Sequence, residues 1–148
     1  MNEQDDVTSR VQSAIARFSD RGVYRKLMLA SSPDAAKKIA HSLPGVKDLI
    51  DIGPDAGPAV LDLLNREATN DNHLVTIALY LLSRIPTDRT TDSLTRYVAS
   101  QQLTGINAEL AAEVFLNSAG VDAHKEDRYT TAVREAKKLI KKNPSQQK

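Results

Sequence analysis

The stretch Asp71-Asn72-His73-Leu74-Val75-Thr76-Ile77-Ala78-Leu79-Tyr80-Leu81-Leu82-Ser83-Arg84-Ile85 decides how this chain folds. Leu74, Ile77, Ala78, Leu81 and Ile85 recur at the three- and four-residue steps of one helical face. Val75, Leu79 and Leu82 widen the apolar arc, and a helix apolar over that much of its circumference is packed on two sides. Asn70-Asp71-Asn72 supplies a polar turn with a capping side chain, and Pro86-Thr87-Asp88 ends the run. The reading predicts a buried helix over 73–85 with other helices against it.

Working outward, the same period predicts helices over 6–18, 23–30, 33–42, 59–67, 90–100, 107–118 and 127–142. Val7, Val11, Ile15 and Phe18 line the first, and Val23, Leu27 and Ala30 one side of the second. Ser32-Pro33-Asp34 is a strong start signal, combining a capping hydroxyl, proline at the first helical position and acid in the first turn. Val46 to Ile52 is a short piece with an ambiguous pattern, compatible with one or two helical turns. Gly53-Pro54-Asp55-Ala56-Gly57-Pro58 reads as a turn feeding a helix. Tyr129, Val133, Ala136 and Ile140 form the inner side of the last helix. No stretch alternates with a two-residue period between hairpin turns, so no sheet is expected.

A chain of helices and short turns calls for a search for an internal period. A shift of 33 residues lays Ile52 on Ile85, Asp55 on Asp88, Leu61 on Leu94 and Leu64 on Tyr97. It also lays Ile77 on Leu110, Ala78 on Ala111, Leu81 on Val114 and Leu82 on Phe115. Small residues recur where two helices approach closely, and large ones recur around them. The segment from Ile52 to Leu64, with Asp71, Ala78, Leu81, Leu82 and Ile85 after it, resembles the HEAT-like repeats related to phycobilisome lyases. The resemblance covers about residues 50–119, with the clearest repeats at 52–84 and 85–118. The second unit departs from the first in carrying Thr104 where the first has Asp71, and the usual arginine before the mid-helix alanine is Val75 and Ala108. The resemblance implies an all-α fold, a short right-handed α-solenoid of stacked antiparallel hairpins. It would make 1–142 one helical-repeat domain with capping helices at its ends, and 143–148 a disordered tail.

Chemistry is sparse. The chain has no cysteine, which removes disulfides and thiolate metal sites. His41, His73 and His124 lie 32 and 51 residues apart, far from the short helical spacing of a ligand pair. No nucleophile elbow or phosphate-cradling glycine loop occurs, so neither an enzyme nor a cofactor is expected. The acidic, polar amino-terminus lacks the features of a secretory signal. No apolar run approaches the length that spans a bilayer, so no membrane partner and a cytoplasmic location are expected.

The register does suggest a surface. It lays Thr76 on Glu109, Tyr80 on Glu113 and Arg84 on Asn117, polar positions that interrupt apolar helices. Glu109 and Glu113, four residues apart on one face, repel each other weakly. In a HEAT-like stack second helices line the concave side, so Tyr80, Arg84, Glu109, Glu113 and Asn117 are the expected contacts to a protein partner. One version of that partner reading is a bacterial inhibitor or immunity-type protein. Charge offers an alternative. Residues 1–120 hold 12 Lys and Arg against 15 Asp and Glu, a net −3, while 121–148 hold 8 against 4, a net +4. Arg134, Lys137, Lys138 and Lys141 on the last helix form a weaker candidate patch for an anionic partner such as nucleic acid, although such cations also suit a helix carboxyl end. A bilin lyase-like chaperone is a third class, implied by the resemblance alone.

Overall fold

A computed structural model describes residues 3–85, 87–122 and 127–142, and among them every regular element is helical. Pro86, His124 and the tail 143–148, each read above, lie outside the described residues. The order is α1 (Glu3–Phe18), α2 (Arg21–Tyr24), a 3-10 helix η1 (Arg25–Leu29), α3 (Pro33–Ser42) and α4 (Val46–Ile52). A second 3-10 turn η2 (Gly53–Ala56) leads to α5 (Gly57–Glu67) and α6 (Asn72–Arg84), then α7 (Thr90–Ala99), α8 (Gly105–Ala119) and α9 (Arg128–Lys142). Contacts divide the chain into two compact units, Met1–Thr87 and Asp88–Lys148.

The first unit is organised around α6. Every residue from Leu74 to Leu82 is buried, with α5 against the helix and α3 and α4 also packed on it. Local signals set the ends. The Ser32 hydroxyl accepts the Ala35 amide at 3.1 Å and Pro33 opens α3, as its sequence announces. The Asp71 carboxylate accepts the His73 and Leu74 amides at 2.9 and 3.2 Å and so caps α6. Residues 46–52, ambiguous in their pattern but compatible with one or two helical turns, form α4, which packs on α1. The turn before α4 needs glycine. Gly45 has φ +91°, and a Cβ there would stand 2.2 Å from the Ala14 carbonyl oxygen of α1.

One boundary differs from expectation. Residues 23–30 do not form one α-helix with Val23, Leu27 and Ala30 inward; the α turn gives way to 3-10 geometry after Tyr24. In a 3-10 helix residues three apart align. The buried pair is therefore Tyr24 and Leu27.

In the second unit α7, α8 and α9 pack pairwise. Leu94, Leu110 and Phe115 fill the interior, and α9 presents the small residues Ala132 and Ala136, so it approaches closely. The helix pairs α5–α6 and α7–α8 keep the register of the sequence. Gly57 and Thr90 begin their first helices, and Asn72 and Gly105 their second. Leu61, Leu64, Ile77, Ala78, Leu81 and Leu82 are buried, and so are their counterparts Leu94, Tyr97, Leu110, Ala111, Val114 and Phe115.

Candidate functional site

Within the first unit, one polar residue of α6 is met by a preceding helix. Tyr80 is only 6% exposed, and its hydroxyl shares a 2.6 Å hydrogen bond with His41 Nδ1 at the end of α3. The two rings stand edge to face, 5.9 Å apart. Thr76 is also buried and donates to the Asn72 carbonyl. Arg84, in the last turn of α6, is exposed.

A second polar link lies one helix end away. The buried Tyr24 donates its hydroxyl to Asp71 at 2.5 Å, and its ring lies 6.1 Å from that of His73. The hydrogen bond to the carboxylate, with burial and the nearby negative charge, raises the Tyr24 pKa above its ordinary value. Burial acts to raise the pKa of Asp71. The hydrogen bonds from Tyr24, Leu74 and His73 outweigh it, and the carboxyl lies below its usual range. Asp71 thus serves both as the cap of α6 and as the anchor of the α2–η1 segment.

Within the second unit, Glu109 and Asn117 are exposed on α8. Glu113 is half-buried and faces Arg128 of α9 at 3.9 Å. The charge that the sequence offers to a basic partner meets a basic group of its own chain. On α9 the residues Arg134, Lys137, Lys138 and Lys141 are all exposed, with Lys138 3.4 Å from Glu135. Tyr129, assigned to the core by its period, is half-buried and its hydroxyl accepts from Gln101 Nε2 at 3.1 Å.

Two features escaped the sequence reading. A groove of about 340 Å³ runs between α1 and α4, lined by Ser9, Arg10, Ser13, Arg17, Asp48 and Asp51 among others. Arg17 and Asp48 are ion-paired across it. Its walls offer charge of both signs and hydroxyls. The second feature is an exposed apolar pair, Met28 and Leu29, on η1. Arg17–Asp48 joins residues 31 apart in sequence, beyond the reach of any local pattern. The run Arg25-Lys26-Leu27-Met28-Leu29 is visible in the sequence, and reading it with a three-residue period would have exposed its outer rows.

Among the described residues no group of three or more His, Asp or Glu side chains is placed to hold a metal ion. No described helix is long and apolar enough to cross a membrane. No protein family, curated protein or solved structure matches the chain.

Proposed function

We propose that the chain is a non-enzymatic protein-binding module whose helix pairs are the HEAT-like units of a short α-solenoid. The observation that carries this reading is the contrast between interior and surface at matched positions. The interior positions of α5–α6 and α7–α8 are apolar and buried in both pairs. Arg84 and Asn117 occupy matched exposed positions yet differ in charge, and Glu109 stands outward where its counterpart Thr76 is turned inward. A repeated scaffold with varied outward residues is the arrangement by which solenoid proteins present a recognition surface. An inhibitor or immunity-type role is one form of this reading, and it would place the partner's basic site against Glu109.

The surface residues for the test are Arg84, Glu109 and Asn117, because Tyr80 and Glu113 are engaged within their own units. Glu113→Arg would bring two cations together at Arg128 and disturb the fold as well as any interface. Immobilised wild type is compared with Arg84→Glu and Glu109→Arg, each checked for unchanged helicity by circular dichroism. A protein retained by the wild type and released by at least one variant supports the reading. An identical set of bound proteins on all three would overturn it.

The exposed cations of α9 favour a second reading, nucleic-acid binding. Its mark is a steep loss of duplex affinity with salt, which reversal of Lys137 and Lys141 would flatten.

A further inference from the structure

Between Asp20 and Asp34 the chain carries Arg21, Arg25 and Lys26 and no carboxylate. The structure winds part of this stretch into η1, and three-residue alignment sorts its side chains into rows. Tyr24 and Leu27 form the buried row. Arg25 with Met28, and Lys26 with Leu29, form the two outer rows, and all four side chains are exposed. Met28 is 72% and Leu29 81% exposed, standing out from the large hydrophobic residues described.

A lone exposed leucine needs no explanation. Two adjacent large apolar side chains, each preceded one turn earlier by a cation, form a pattern. At about 2.0 Å of rise per residue, the backbone of each apolar residue lies about 6 Å along the helix axis from that of its cation. The turn is held from within, since Leu27 is buried beneath it and Tyr24 is tied to Asp71. No ordering is required before these side chains meet a surface.

We propose that η1 docks onto an anionic lipid surface, with Met28 and Leu29 entering the boundary of headgroups and acyl chains and Arg21, Arg25 and Lys26 remaining at the phosphates. The long stems of arginine and lysine let their charges reach back toward the phosphates. Each cation near a negative leaflet adds attraction, and no carboxylate within the turn opposes it. The expectation of no membrane partner rested on the absence of a spanning segment, and surface docking needs none. The contact is weak and reversible, and it stands independently of the protein-binding reading.

The test is co-sedimentation with phosphatidylcholine vesicles, with and without phosphatidylserine, at low and high salt. Wild type pellets with the phosphatidylserine vesicles at low salt and stays in solution with phosphatidylcholine alone. Met28→Ser with Leu29→Ser lowers partitioning by about tenfold, and Arg25→Gln by roughly fivefold. These side chains are exposed, and circular dichroism checks that the variants remain folded. Wild type left in solution with phosphatidylserine vesicles overturns the proposal. Pelleting that survives the double serine change and disappears with Lys137→Gln and Lys141→Gln also overturns it, assigning the attraction to α9. Indifference to vesicles combined with Met28- and Leu29-dependent binding of a synthetic acidic amphipathic peptide overturns it in favour of a protein pocket.

Discussion

Asp71 and Thr104 stand at the same register position, each preceding the second helix of its pair. Asp71 bonds two amides of α6 and receives the Tyr24 hydroxyl, while the Thr104 side chain makes no capping bond. Nine residues later the comparison turns. Tyr80 meets His41 of α3, and its counterpart Glu113 meets Arg128 of α9. In both units a third helix docks at this position of the second helix, once through a part-buried tyrosine–histidine hydrogen bond and once through a half-exposed ion pair. The 33-residue register therefore marks where the chain binds itself as well as where it faces outward.

The comparison breaks first in the core if it is false. Leu82 and Phe115 occupy matched buried positions, so Leu82→Ala should cost about 2–5 kcal/mol and Phe115→Ala about 3–5 kcal/mol. Urea unfolding of each variant measures this, and a cost well below 1 kcal/mol at either site would show that the two interiors are not equivalent.

The caps come next. Asp71→Ala removes a cap and strands the Tyr24 hydroxyl, a loss of about 2–3 kcal/mol. Thr104→Ala should change stability by only a few tenths of a kcal/mol, because no cap bond is lost there. The pH dependence has a definite sign. The depressed pKa of folded Asp71 stabilises the protein above the unfolded carboxyl pKa of about 3.9, and that stabilisation is lost as pH falls through the lower folded value. The raised pKa of Tyr24 acts oppositely, stabilising below about pH 10 and losing its effect as pH rises through the folded value. The gap between wild type and Asp71→Ala should narrow in acid, and that for Tyr24→Phe in alkali. A gap constant from neutral to acid pH would remove Asp71 from its role as a charged anchor.

The smallest expected effects sharpen the comparison. Tyr80→Phe leaves His41 without its partner and should cost about 1 kcal/mol, with little dependence on salt. Glu113→Gln should cost about 0–1 kcal/mol and less as ionic strength rises, since Arg128 is largely exposed. Equal salt dependence at the two sites would erase the distinction between them.

What could be read in advance was what neighbours in sequence determine. Ser32-Pro33 set the start of α3 within a few residues, and the apolar run of 74–82 made α6 a buried helix. The hydroxyl of Tyr80 illustrates the limit. A polar group in an apolar helix marks solvent only if nothing else reaches it, and His41, 39 residues away, does. Tyr24–Asp71 spans 47 residues and is equally invisible to a periodic pattern. The 3-10 turn was missed for a local reason. Over residues 23–30 the two periods share only Leu27 on the inner side: a period of 3.6 adds Val23 and Ala30, whereas three-residue alignment adds Tyr24.

The phenol groups have one further use. The chain has four tyrosines and no tryptophan, so its near-ultraviolet emission is tyrosine emission alone. Tyr24 and Tyr80 belong to the first unit, Tyr97 and Tyr129 to the second, and the hydroxyl of each has a partner within its own unit. Tyr24 donates its hydroxyl to a carboxylate, that of Asp71. Unfolding of the first unit releases this phenol from its carboxylate, so a rise in tyrosine emission at that step would report the first unit without any label.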